Sequence, residues 1–179
     1  MAVLPILIAP HPTLKAKAKP VKEVNDTLRT LLDDMLETMY DAPGIGLAAN
    51  QIGSLERVLV MDCGSREDDE APRPIKIINP VITGVSEELS TYEEGCLSIP
   101  EQYADVERPA AVRVKYLDET GATQEQVFTG LEATCVQHEI DHLDGILFVD
   151  HLSNLKRNML MKKLKKLVKE REEGVEHDD

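Results

Sequence analysis

The stretch His138-Glu139-Ile140-Asp141-His142 constrains this chain more than any other. Leu131, Thr134, Cys135, His138 and His142 recur at intervals of three and four, as one face of a helix does. No proline interrupts the run, and Gly145 stands where a C-terminal cap belongs. Residues four apart on a helix differ by roughly 40° of rotation and 6 Å of rise. His138 and His142 can therefore aim their rings at one ion, with Glu139 beside that ion and free of it. The plain alternative is a polar helix face with Glu139 in solvent. Two histidines make an incomplete site, so a third ligand has to be sought elsewhere.

The size of the chain suits one domain, residues 1–179. With 179 residues and 42% hydrophobic content, a globular fold buries roughly 70% of its unfolded surface and needs no disulfide. No apolar run reaches membrane-spanning length. The opening Met1-to-Pro12 segment is apolar but carries Pro5, Pro10 and Pro12 and lacks a basic start. It is expected to be an early strand and not a signal peptide. Three cysteines, an odd number, without an export signal point to free thiols in a reducing, cytoplasmic setting. A net charge of −13 and only six aromatic residues argue against sequence-specific nucleic-acid binding.

Along the chain, Leu28, Leu31, Leu32, Met35, Leu36 and Met39 mark an amphipathic helix capped by Asn25 or Asp26. Gly44, Gly46 and Gly53 mark irregular backbone after it. Arg57 to Asp62 reads as a buried strand, and residues 64–74 as an exposed, charged loop. Alternating runs over 75–100 and 110–130 predict antiparallel strands, with a turn from Asp118 to Gly121. Residues 146–150 are expected to form a short strand, and a terminal helix is expected from about 153 to 172. The result is an α+β fold: antiparallel sheets packed around a central His-Glu-x-x-His helix, closed by an amphipathic C-terminal helix.

For the third ligand, one metalloprotease pattern needs a histidine where Phe148 stands. A thermolysin-like pattern needs a glutamate on a later helix. Glu170, Glu172 and Glu173 lie in a charged tail with nothing after it to hold them at a site. Upstream, Cys96 follows Gly95 at a strand end and is a plausible projecting ligand, but on its own it reads more readily as a small buried hydrophobe. Cys63 and Cys135 carry the same ambiguity.

Three segments taken together resemble the signature motifs of bacterial peptide deformylases of the Gram-negative type: Gly44 to Gln51 (GIGLAANQ), Glu94 to Ser98 (EGCLS) and His138 to His142 (HEIDH). The likeness runs from His11 to the basic terminal helix. It implies that Cys96, His138 and His142 ligate one divalent metal, Fe2+ first, with Zn2+, Ni2+ or Co2+ as substitutes. It assigns acid/base work to Glu139 and oxyanion stabilisation to the Gln51 side chain and the Leu97 N–H. It places a methionine pocket among Ile45, Tyr92, Leu131, Thr134 and Cys135, with Glu94 and His138 at its base. Gly44, Gly46 and Gly95 would give the substrate close access to backbone. Tyr103 departs from the pattern, since many relatives carry an arginine there that contacts the peptide. Asp141 would face away from the metal, either solvated or paired with an arginine such as Arg108.

The implied reaction is hydrolysis of the N-formyl group from formyl-methionyl peptides by a monomeric enzyme. A metal with three protein ligands leaves a place for water and lowers its pKa to roughly 7. Two other readings stand beside it. A thermolysin-like endopeptidase would lose its metal on replacing Glu170 instead of Cys96. A non-catalytic metal-binding module at the ribosome would lack activity on a formyl-Met peptide. The tail bears on partners. Ser153 to Lys169 holds seven basic residues and no acidic one, against 13 basic and 33 acidic elsewhere. Met159, Leu160, Leu164, Leu167 and Val168 are expected on its apolar face. Docking on ribosomal phosphate, and not on a membrane, is the expected use of the rest.

Overall fold

The computed structural model describes residues 2–64 and 71–177. Helix α1 (Asp26–Asp41) starts where Asn25 accepts a hydrogen bond from the Leu28 N–H. Leu28, Leu32, Met35 and Met39 form its buried stripe, so the methionines fill core. Strands β1 (Gly46–Ala48), β2 (Val58–Met61), β3 (Ile75–Val85), β6 (Ala111–Leu117) and β7 (Thr123–Thr129) make one antiparallel sheet in the order β1-β2-β3-β6-β7. Strands β4 (Leu89–Cys96) and β5 (Ile99–Pro109) form a separate antiparallel hairpin.

Strand β2 is buried at all four positions because both its faces are covered. Val58 and Val60 meet α1, while Leu59 and Met61 meet helix α2 (Gly130–Leu143). A strand sandwiched in this way has no solvent face to write in polar residues. Helix α2 is the molecule's centre, with Ala133 to Ile140, His142 and Leu143 all buried. Gly145 ends it at φ +77°, and a Cβ there would stand 2.4 Å from the Lys15 carbonyl oxygen. Both conformation and space require glycine at that turn. A third core cluster packs helix α3 (Asn154–His177), through Leu160, Met161, Leu164 and Val168, on Ile99, Val106 and Phe148.

The α+β architecture stands as expected, and four details differ. The N-terminal segment forms no strand. Its prolines remove ladder donors, and it is tied instead by single bonds from Leu7 N to Gln51 O (2.7 Å) and Ala9 N to Ser98 O (2.9 Å). Residues 148–151 form a 3-10 turn, because the Asp150 carboxylate accepts from the Leu147 N–H and turns the chain. Met159 is 50% exposed, and Met161 packs in its place. The terminal helix runs on to His177. Residues 65–70 of the charged loop expected over 64–74 lie outside the described residues. Among the described residues, no helix is long and apolar enough to cross a membrane.

Candidate metal centre

The site forms where the β4–β5 hairpin meets α2. Along the hairpin the register runs regularly to Gly95↔Tyr103 and then breaks, with Cys96 opposite Ile99. Such an irregularity re-aims a side chain, and here the Cys96 sulfur faces the helix. It lies 3.2 Å from His142 Nε2, which lies 3.2 Å from His138 Nε2. One ligand atom from each of Cys96, His138 and His142 falls within 4.8 Å of the others, and no other such cluster occurs among the described residues. A soft thiolate with two imidazoles on a buried floor is the donor set of a zinc- or iron-type ion. Phe148 stacks on the His138 ring at 6.1 Å between centroids.

Electrostatics agree with a cation site. Burial holds His142 well below the usual histidine range, so its ring is neutral and can ligate. His138 is pulled the other way. Burial opposes its charge, but hydrogen bonds to Cys96 and Glu94 hold its pKa well above the ordinary value. The pocket thus draws positive charge, which a proton or a divalent ion can supply.

Behind the cluster runs a polar chain. His138 Nδ1 lies 2.9 Å from Glu94 Oε1. Arg108 grips both Glu94 oxygens, from Nε (2.7 Å) and Nη2 (2.9 Å), and donates from Nη1 to Asp141 at 2.9 Å. Burial raises the Glu94 pKa, but its bonds to His138 and Arg108 outweigh that and hold the carboxyl below its usual range. The ionised carboxylate fixes the His138 ring and points its Nε2 into the cluster. Arg108 does pair with Asp141, and its larger engagement is with Glu94, which therefore sits behind His138 as well as at the cleft floor.

Glu139 stands beside the cluster, with Oε1 3.8 Å from His138 Nε2. Its Oε2 is buried and has no hydrogen-bond partner among the described residues, and burial pushes the carboxyl up to about 7. Gly46 makes room for it: a Cβ there would lie 2.8 Å from Cys135 Sγ and 3.0 Å from Glu139. Gln51 is locked by its own backbone. Its Oε1 accepts from the Ala48 N–H (2.9 Å), so Nε2 faces Cys96 Sγ (3.5 Å) and Ser98 Oγ (3.1 Å). Leu97 lies in the β4–β5 connection with its side chain against Gly44.

A cleft of about 710 Å³ opens over the cluster. Gly44, Ile45, Tyr92, Leu131 and Thr134 line it, as do Gly95, Leu97, Tyr103 and Cys135. His142, fully buried, does not. Cys135 is a wall group: contact with Cys63 and burial push its thiol up, and it donates to the Ile45 carbonyl at 3.6 Å. Ile6, Glu93, Pro100 and Glu101 also line the cleft, beyond the residues expected from sequence. Ile6 arrives through the Leu7–Gln51 bond, which has no local sequence signal. Glu93 and Glu101 could have been found from strand alternation, being two residues from Gly95 and Tyr103 respectively.

Comparison with known proteins agrees with this geometry. Residues 3–158 match the family model described as polypeptide deformylase. A peptide deformylase of Mesorhizobium japonicum is 58% identical over 174 residues, covering 97% of this chain and 98% of the relative. One from Rhizorhabdus wittichii is 58% identical, covering 93% and 96%. Among solved structures, a peptide deformylase from Legionella pneumophila superposes with a TM-score of 0.87 at 45% identity, covering 95% of this chain and 98% of that one. The Ehrlichia chaffeensis enzyme in complex with actinonin gives 0.87 at 41% identity, covering 93% and 98%. The chain belongs to the polypeptide deformylase family.

Proposed function

We propose that this chain, as one catalytic domain, hydrolyses the formyl group from the N-terminal formyl-methionine of new polypeptides. The observation that carries the reading is the Cys96–His138–His142 cluster, both histidines buried, with Glu139 beside it on the cleft floor. Those three residues would hold one divalent ion, ferrous iron by preference, with zinc, nickel or cobalt as substitutes. When bound, the ion polarises the formyl carbonyl and lowers the pKa of an attacking water to roughly 7.

The rest is done by the chain's own groups. Glu139 takes the water's proton and passes it to the amide nitrogen as the C–N bond breaks, so formate and a free amine leave. The Gln51 Nε2–H, locked in orientation by Ala48, and the Leu97 N–H donate to the oxygen that becomes anionic. Losing one such donor costs about 3 kcal/mol of barrier. Ile45, Tyr92, Leu131, Thr134 and Cys135 enclose the methionine side chain, and Gly44, Gly46 and Gly95 let the peptide approach backbone. The Glu94–Arg108–Asp141 chain keeps His138 in one orientation throughout. Helix α3 docks the enzyme on the ribosome through its exposed lysines.

The test is metal analysis of protein purified without oxygen, with formate release from a short formyl-Met peptide measured on the same sample. About one ion per chain and formate release are expected; metal-replete protein that releases none would refute the reading.

A further inference from the structure

The polar chain behind His138 does not stop at Asp141. His151 Nε2 lies 2.7 Å from Asp141 Oδ2, the same oxygen that accepts from Arg108 Nη1 at 2.9 Å. His138, Glu94, Arg108, Asp141 and His151 are therefore linked in series, drawn from α2, β4, β5 and the 148–151 turn. Exposure rises along the series: the side chains of Glu94 and Arg108 are 4% and 5% exposed, Asp141 22% and His151 39%. The outer end is the one that solvent can loosen.

The turn that carries His151 is itself fixed against the metal helix. Buried Phe148 stacks on the His138 ring, and Asp150 is held by Lys15 and Arg157. One short turn thus touches the first member of the series through Phe148 and the last through His151. Among the described residues, Arg108 and His151 are the only side chains hydrogen-bonded to the Asp141 carboxylate. Asp141, paired with Arg108, accepts, so His151 Nε2 is the donor. Without that donor, water competes for Asp141, and the buried Arg108 loses the rigidity of its outer anchor. Hydrogen bonds linked in a low-dielectric interior polarise and orient one another, so a change at one end is felt at the other. His151 does not line the cleft, so it has no contact with a substrate there.

Resting on the deformylase reading, we propose that His151 is a positioning residue for the metal centre. By donating from Nε2 to Asp141 it locks Arg108 on Glu94, and Glu94 in turn holds the His138 ring toward the ion. Groups that orient a metal ligand set how tightly the ion is held as well as how fast the site turns over. The 148–151 turn is thus part of the metal centre's support and not only a link from α2 to α3.

The test compares His151→Leu, His151→Gln and His151→Asn with the parent chain by Co2+ affinity in chelator competition, the absorption spectrum of bound Co2+, and kcat and KM on a short formyl-Met peptide. His151→Leu is expected to weaken Co2+ binding by roughly three- to tenfold, less than the 10–100-fold typical of a direct partner of the ligand. The Co2+ spectrum should shift, and kcat should fall while KM stays close to the parent's. A Gln amide nitrogen reaches the place of Nε2, whereas that of Asn reaches only the place of Nδ1. His151→Gln should therefore restore affinity and spectrum, and His151→Asn should behave as Leu does. In an Asp141→Asn background the Leu substitution should add nothing further. Parent-like Co2+ affinity in His151→Leu, or equal behaviour of Gln and Asn, would overturn the proposal while leaving the deformylase reading intact. A parent chain that binds Co2+ and releases no formate would instead refute the reading beneath it.

Discussion

Cys96 and Cys135 line the same cleft, yet their neighbours give them opposite chemistry. Cys135 lies against Cys63 and the Ile45 carbonyl, which favour a protonated thiol. Cys96 lies 3.2 Å from His142 Nε2 and is approached by N–H groups of Gln51 and Ser98, which keep its sulfur at the histidine pair. Cys96→Ser should therefore lose most bound metal and most activity, whereas Cys63→Ser should keep its metal. Metal content per chain and formate release decide it, and a fully active, metal-replete Cys96→Ser protein would remove Cys96 from the ligand set. Glu139→Gln keeps size and polarity but cannot accept a proton. It should retain metal while activity falls roughly a hundredfold or more; loss of metal instead would make Glu139 a ligand. At this scale the two histidines were legible because one helix turn sets their spacing. The pairing of Glu94 with His138 and Arg108 was not, since it depends on hairpin register and on how the hairpin meets α2.

Single carboxylates also decide how elements join. Asp150 receives Lys15 Nζ at 2.7 Å, the Leu147 N–H at 2.9 Å and Arg157 Nε at 3.0 Å. It ties a 3-10 turn at Pro12–Lys15, the 148–151 turn and the first turns of α3 together. Burial raises its pKa, but the bonds to Lys15, Leu147 and Arg157 outweigh this and hold it below the usual range. A depressed carboxylate stabilises the fold above its unfolded pKa of about 4, and the contribution fades as pH falls through the lower folded value. For half-exposed pairs of this kind the worth is about 1 kcal/mol, or about 2–4 °C in Tm. Asp150→Asn should show that deficit at pH 7 and approach the parent by pH 3 in thermal unfolding. An equal gap at both pH values would mean that the charge is not what joins the elements. The same carboxylate explains why residues 146–150 read as a strand: their apolar run is real, but one side-chain cap bends it into a turn.

At the scale of the molecule, the two core layers on either side of β2 and the central α2 were legible because helical and strand periodicities are local. What α3 does was legible only in part. Its seven basic residues from Lys156 to Lys169 stand out against an otherwise acidic chain, but which of its apolar residues pack could not be known without its seat on β5. Leu164 is 1% exposed, and Leu160 and Met161 pack beside it on Ile99 and Phe148. Deleting the chain from Arg157 would therefore open a core cluster as well as remove charge, so truncation alone cannot separate docking from stability. The lysines allow a cleaner cut, because Lys162, Lys163, Lys166 and Lys169 are all exposed. Replacing these four with Gln should leave hydrolysis of a short formyl-Met peptide and the Tm close to the parent's. Ribosome co-sedimentation should drop sharply, and its dependence on log salt should flatten by about one unit for each phosphate no longer neutralised. The two readouts move apart only if the helix has an outward role. Co-sedimentation that survives the four substitutions, or that never responded to salt, would leave α3 as a strut for the hairpin that carries Cys96.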